Sequence, residues 1–159
     1  RVVSGAAIGH ILGEEASRAL RLLDGRSDVA REALKRSSRS MIKALMSCEA
    51  QVQPRGFYCC GTCTAAMWRN LAVGGLNSQK KRLNNGLKVL RKYRDGTGKW
   101  RRFPFYYTLL ALCEIDGGKA RDEMRYAAPV CERYLKRSRS KGKIGARRRM
   151  LLERVLARV

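Results

Sequence analysis

The stretch GKWRRFPFYYTLLAL, residues 98–112, contains a break marked by Gly98 and Pro104 and then an almost wholly apolar segment that begins at Phe105. A segment that is apolar on all sides is typical of a helix at the centre of a domain. The basic and aromatic residues before it have two interpretations. They form the packed turn of a helical-hairpin repeat, or they belong to a surface that binds nucleic acid.

Apolar residues recur at helical spacing along the rest of the chain, and no segment shows the alternation of a strand. The pattern predicts seven helices, at about residues 8–23, 28–52, 62–73, 83–93, 105–115, 120–135 and 146–159. Ser27 or Asp28 is expected to cap the second helix, and Pro129 is expected to kink or break the sixth. The sequence therefore predicts an all-α fold.

The predicted helices repeat at a shift of 44 or 45 residues. IKAL at 42–45 matches LKVL at 87–90, and TAAMWRNL at 64–71 matches TLLALCEI at 108–115. A two-helix period of this length indicates stacked antiparallel αα-hairpins. We expect one hairpin-repeat domain over residues 1–135, with a basic loop and a last helix, residues 136–159, packed on it or extending from it.

The turns of this repeat resemble those of the terpenoid cyclase and protein prenyltransferase β-subunit superfamily. The resemblance rests on DGTGKW at 95–100 with FYYTLLAL at 105–112, and on RGFYCCGTCTAAMW at 55–68. It covers about residues 40–135 and implies a partial α/α toroid or solenoid, which further copies of the chain would complete as an oligomer. CEID at 113–116 is not the Asp-rich acid motif of the cyclases. Of the zinc ligands of the prenyltransferases only Cys63 has a counterpart, because Gly61 replaces the Asp and His10 lies far upstream, so the resemblance implies fold and not activity.

The chain carries 35 Lys and Arg against 13 Asp and Glu, a formal net charge of +22. Residues 1–79 hold 11 basic and 6 acidic side chains, a net of +5, whereas residues 80–159 hold 24 and 7, a net of +17. Such an excess favours a polyanionic partner. Nucleic acid is the first candidate, and an acidic protein or an anionic lipid surface is the alternative.

The basic residues of the second half form clusters of the kind that binds phosphates along a nucleic-acid backbone. Phe103, Phe105 and Tyr107 are expected in the core. Trp100, which lies between Lys99 and Arg101, is left open between core packing and stacking on a base, and it is kept among the candidate binding residues. The predicted nucleic-acid-binding residues are Lys80, Lys81, Arg82, Lys88, Arg91, Lys92, Lys99, Trp100, Arg101, Arg102, Arg137, Arg139, Lys141, Lys143, Arg147, Arg148 and Arg149.

The motif Cys60-x-x-Cys63, with Cys59 beside it, suits buried structural cysteines, a metal site for zinc or an iron–sulfur cluster, or a redox dithiol. No second pair of cysteines or histidines follows at a metal-ligand spacing, so buried structural cysteines are favoured and no cofactor is predicted. Cys60 and Cys63 stay as the candidate metal ligands. His10 stands alone in the sequence and is interpreted as a helix-surface or core residue.

The chain has no nucleophile elbow and no phosphate-binding glycine loop, so the sequence does not predict an enzyme. The leading hypothesis is a non-catalytic helical-repeat protein that binds RNA or DNA backbone within a larger nucleoprotein assembly. The alternative is a prenyltransferase-like or cyclase-like protein that binds an isoprenoid or lipid in an apolar pocket beside Met67, Trp68, Tyr107 and Leu110. With six cysteines, no signal peptide and no apolar run long enough to span a membrane, we expect an intracellular, reducing compartment.

Overall fold

The computed structural model describes residues 5–23, 27–51, 56–137 and 142–159, with the backbone alone for 5–8 and 48–51. Within these ranges the chain forms seven helices and no strand, so the all-α prediction is confirmed. The helices are α1 (Gly5–Leu22), α2 (Asp28–Gln51), α3 (Gly61–Ala72), α4 (Gln79–Lys92), α5 (Phe105–Leu112), α6 (Gly118–Arg137) and α7 (Lys143–Leu156).

Local signals set several helix ends. The Ser27 hydroxyl accepts a hydrogen bond from the backbone N–H of Ala30 at 3.1 Å and so caps α2, as predicted. After α4, the Asp95 carboxylate accepts bonds from the backbone N–H groups of Thr97 and Lys99 and closes the turn before α5. Of the two outcomes predicted at Pro129, the break is wrong, because α6 continues past this exposed residue to its end at Arg137, and the kink stays a prediction.

The odd-numbered helices α1, α3, α5 and α7 contact one another in succession. Helix α2 packs on α1, α4 packs on α3 and α6, and α6 packs on α5 and α7. This order of contacts places the apolar α5 between α3 and α7, where α6 packs against it. The hairpin repeat and the toroid stay predictions.

Aromatic rings fill the space between α3, the turn before it and the turn before α5. Trp68 stacks on Phe103 with ring centroids 5.6 Å apart, and Phe57 meets Phe103 edge-on at 5.7 Å. Gly86 on α4 lets that helix approach, since a Cβ there would lie 2.3 Å from the Trp68 indole nitrogen. The aromatic side chains of the two turns, Phe57 and Phe103, therefore both pack into the core.

Arg69 on α3 connects that helix to α1 and to the end of α5 through partly buried charges. Its Nε and Nη2 donate to the two carboxylate oxygens of Glu114, at 3.1 and 3.0 Å, and its Nη1 pairs with Glu15 on α1. Arg18 also reaches Glu114, at 2.9 Å, and the Tyr107 hydroxyl donates to Glu15 at 2.8 Å. This network fixes the order of α1, α3 and α5.

None of the described helices combines the length and the apolar composition that crossing a lipid bilayer requires.

Candidate nucleic-acid interface

Helix α4 presents a basic row made of Lys81, Lys88, Arg91 and Lys92, all of them exposed. The row runs from Lys81 to Lys92, eleven steps along the helix, which is about 16 Å at about 1.5 Å per residue. The opposite face of α4 buries Leu90. Within the described ranges no hydrogen bond or ion pair involves these four cations, so their charge faces solvent.

A cleft between α5, α6 and α7 combines aromatic rings with arginines, and we call it the tyrosine cleft. Tyr106 and Tyr134 form one wall, with ring centroids 6.2 Å apart and planes inclined by 32°. The cleft has a volume of about 270 Å³, near the lower limit of about 300 Å³ for small-molecule sites. It is lined by Tyr106, Tyr134, Arg137, Gly145, Arg148, Arg149 and Leu152, and this set contains no acidic residue.

Cations already lie over the tyrosine rings. The Arg148 guanidinium carbon is 4.7 Å from the Tyr106 centroid, and the Lys99 Nζ is 5.0 Å from the Tyr134 centroid. Buried Gly145 brings the start of α7 close to the tyrosines. The cleft therefore brings Lys99, from the turn before α5, close to the arginines of α6 and α7.

Trp100 is placed differently from the prediction. Only 4% of its surface is exposed, and its indole N–H donates to a carboxylate oxygen of Glu123 at 2.9 Å. Glu123 also pairs with Arg94 at 2.9 Å, so the indole is held between buried polar and aromatic groups. Trp100 is a core residue, and its assignment to the interface is wrong.

The two arginines after Trp100 are exposed, as an interface requires. Arg102 has a positive φ of 65° and holds its guanidinium over the Phe57 ring, 5.5 Å from the centroid. Gly61 at the start of α3 lies against this turn, because a Cβ there would be 1.9 Å from the Arg102 carbonyl oxygen. Arg101 and Arg102 are thus fixed on the outside of a turn whose aromatic side is buried.

The remaining predicted cations are distributed along α4, α6 and α7. Lys80, Arg137, Lys143 and Arg147 are exposed, and Arg149 pairs with Glu153 at 2.9 Å. Arg82 is half-buried and donates to the Asn77 carbonyl oxygen. Arg139 and Lys141 lie outside the described residues. Among those that are described, the structure gathers Lys99, Arg137, Arg148 and Arg149 at the cleft and leaves the row on α4 as a separate surface.

The sequence did not identify Tyr134, and it did not distinguish Tyr106 from the neighbouring aromatic residues that are expected in the core. The available signal was the spacing of Tyr134 and Arg137, three residues apart, which puts a ring and a cation on one side of α6. Tyr106 follows half-buried Phe105 and shares the cleft with Tyr134 because α5 turns that position toward α7.

The cysteine motif lies at the start of α3, away from the cleft. Cys60 is the N-cap residue, and its Sγ accepts from the backbone N–H of Cys63 at 3.4 Å. Burial raises the pKa of the Cys60 thiol, but hydrogen bonds from Cys63 and Thr62 outweigh burial and leave that pKa lowered. Burial raises the pKa of the Cys63 thiol, with a further rise from its contact with Cys60.

Two residues that the sequence separated from this motif lie beside it. An imidazole nitrogen of His10 is 3.9 Å from the Cys63 Sγ, and Glu14 follows His10 by one turn of α1. Burial raises the pKa of the Glu14 carboxyl to about 8, with smaller contributions from Glu15 and Cys60. His10 is therefore not the isolated residue that the sequence predicted.

The pocket required by the lipid-binding alternative is small in the part of the chain that the structure describes. The cavity beside Met67 and Trp68 has a volume of about 30 Å³, close to the share of one water molecule in the liquid. The side chains at the centre of the bundle fill the space that an isoprenoid would need.

Comparisons of the chain with protein-family models, with curated proteins and with solved structures find no match.

Proposed function

We propose that this chain binds nucleic acid, with a base or bases of a single strand in the tyrosine cleft and the strand's phosphates on the exposed cations around it. The observation that carries the proposal is the composition of the cleft: two tyrosine rings and three arginines, with no carboxylate in its lining. Tyrosine faces stack on any base, and guanidinium groups match the geometry of phosphate oxygens.

The surrounding charge supports the same function. The exposed Lys143 and Arg147 continue from the cleft along α7, and Arg101 and Arg102 flank the turn that carries Lys99. Because the second half has only seven acidic residues, and Glu114 and Glu123 pair with arginines inside the bundle, little on this surface neutralises these cations. Binding through such a surface releases counterions and weakens steeply as salt rises.

The cleft also favours single strands over duplexes. In a duplex the faces of the bases are covered by their neighbours, and only an unstacked base offers its face to an aromatic side chain. We therefore expect tighter binding to single-stranded RNA or DNA than to the matching duplex at equal salt, with the basic row on α4 contributing to both.

The test is fluorescence anisotropy with labelled single-stranded and duplex oligonucleotides over a salt series. Replacing Arg147, Arg148 and Arg149 together by Gln should reduce the slope of log K against log salt by about 2, since each phosphate contact contributes about 0.7 to 0.9. The control replaces Lys35, Arg36 and Arg39 by Gln, three exposed cations of α2 that carry the same charge. An equal decrease of the slope in the two triple variants would show that only the net charge matters, and it would contradict the cleft as the binding site.

A second variant tests the stacking. Tyr134→Leu should weaken single-strand binding by about 10-fold or more, because a stacked base is worth about 1–3 kcal/mol, whereas Tyr134→Phe should retain the affinity. Equally tight binding of a poly-glutamate peptide or of anionic lipid vesicles at the same salt would overturn nucleic acid as the partner and indicate an acidic protein or a lipid surface instead.

A further inference from the structure

His10, Cys59 and Cys63 form a thiol–imidazole cluster between α1 and the start of α3. Each offers one potential metal-ligand atom, and the three atoms all lie within 4.8 Å of one another. The fold brings these residues together from distant parts of the chain. His10 lies on α1, Cys59 lies in the turn before α3, and Cys63 lies in the first turn of α3. Contacts between α1 and α3 hold the two sides of the cluster in place.

The local backbone directs the two thiols toward one point. Cys59 has a positive φ of 56°, a conformation that few non-glycine residues adopt. The Thr64 hydroxyl accepts from the Tyr58 N–H at 2.9 Å and donates to a carbonyl oxygen of the same turn. This turn places the Cys59 side chain beside that of Cys63, four residues later, instead of across the helix from it.

The size and chemistry of the cluster fit zinc. In a tetrahedral site with Zn–S bonds of about 2.3 Å and Zn–N bonds of about 2.0 Å, neighbouring ligand atoms lie about 3.5 to 3.8 Å apart. The separation of 3.9 Å between Cys63 Sγ and the His10 nitrogen is already near this value. Two thiolates and an imidazole form a donor set that selects zinc over magnesium or calcium.

A buried carboxyl group beside the cluster is a second, independent indication. Only 3% of Glu14 is exposed, and neither of its carboxylate oxygens has a hydrogen-bond partner within the described residues. Buried carboxyl groups of proteins are normally hydrogen-bonded, paired or bound to a metal. Glu14 and His10 line the same cavity, of about 230 Å³, which opens to solvent and offers a path for an ion.

We propose that this cluster is a zinc-binding site, with His10, Cys59 and Cys63 as ligands and the buried Glu14 carboxyl group as their neighbour. Cys60 is not a ligand in this assignment, because its Sγ caps α3 by accepting the Cys63 N–H. A dithiol that exchanges with disulfides is the competing use of the same motif, and it requires Cys60 together with Cys63. The proposal is independent of nucleic-acid binding.

The experiment uses the full chain, reduced and treated with chelator, and adds Zn²⁺ or Co²⁺ alone. We expect one equivalent to bind. The Co²⁺ form should show the thiolate-to-metal charge-transfer absorption and the strong visible bands of a tetrahedral site. His10→Gln and Cys59→Ser should each weaken Zn²⁺ binding by about 100-fold or more. Mutating a hydrogen-bond partner of a metal ligand already costs about 10- to 100-fold in metal affinity, and loss of a ligand itself costs more. Glu14→Gln should weaken it by about 10-fold.

Cys60→Ser is the matched control, because serine also caps helices. It should bind Zn²⁺ within about 3-fold of the unchanged chain, and such retention shows that Cys60 is not a zinc ligand. Circular dichroism should show that the exposed-site variants His10→Gln and Cys59→Ser keep their helices. Absence of the thiolate-to-cobalt absorption, unchanged affinity in both ligand variants, or loss of binding in Cys60→Ser would overturn the proposal.

Discussion

Arginines inside the helix bundle and arginines at the tyrosine cleft differ in the partners that the fold gives them. Arg69, with a side chain 11% exposed, binds both oxygens of Glu114 and reaches Glu15 as well. Arg148 holds its guanidinium over a tyrosine ring, and Arg147 is exposed on the same helix. The same side chain is therefore a structural cross-link where a partly buried carboxylate lies beside it, and a solvent-exposed cation where none is near.

The difference shows how the chain uses its few acids. Glu114 and Glu123 have side chains that are 14% and 3% exposed, and both are paired with arginines inside the bundle. The acids that stabilise the core are thereby removed from the surface of the second half. The exterior of the second half is therefore left strongly positive.

The largest expected effect comes from breaking the interior set. Arg69→Met removes the shared partner of two partly buried carboxylates and should lower the free energy of unfolding by about 3 kcal/mol, the lower end for a broken buried pair, because Arg18 still reaches Glu114. Denaturant unfolding measures it. The control is Arg125→Met, whose exposed pair with Asp122 is expected to contribute less than about 1 kcal/mol. Equal losses in the two variants would show that burial adds nothing to the pair.

A smaller effect is expected at Glu123. Glu123→Gln keeps an acceptor for the Trp100 indole but removes the charge that pairs with Arg94, so stability should fall by about 1–2 kcal/mol. The neighbouring Asp122→Asn, on an exposed side chain, should change stability by less than about 0.5 kcal/mol. A Glu123→Gln chain as stable as the Asp122→Asn chain would contradict the role of this carboxylate as the anchor of Trp100.

The smallest effect is expected on the outer surface. Arg149 pairs with Glu153 across one helical turn, with both side chains about half exposed, so Arg149→Gln should lower stability by only about 0.3–0.5 kcal/mol. Thermal unfolding at low salt measures the change, and Arg147→Gln serves as the comparison without this pair. A loss above about 1 kcal/mol for Arg149→Gln would place it with the structural arginines, contrary to its assignment to the cleft.

The helices were predictable because their apolar periodicity is local. The predicted start of α5 at Phe105 coincides with the observed one, and the start of α2 follows from the Ser27 cap. The break predicted at Pro129 does not occur, since this long helix tolerates a proline on its exposed side although the proline removes one hydrogen-bond donor.

The candidate sites depend on contacts between residues that are distant in the chain, and these contacts could not be predicted from the sequence. Trp100 has cationic neighbours in the chain, yet its partner Glu123 comes 23 residues later. His10 has no cysteine near it in sequence, yet it lies against Cys63 across a separation of 53 residues. The spacing of the cysteine motif predicted Cys60 and Cys63 as candidate metal ligands. In the structure Cys59, not Cys60, lies with Cys63 and His10, since the backbone at Cys59 turns its side chain toward Cys63.

The burial of both tryptophans determines what the chain's own fluorescence reports. Trp68 and Trp100, 2% and 4% exposed, are the two tryptophans of the sequence, and each is packed among aromatic rings. Their emission therefore follows the opening of the bundle and not the arrival of a ligand at the tyrosine cleft. A ligand that leaves indole emission unchanged while it protects the chain from denaturant has bound outside the core.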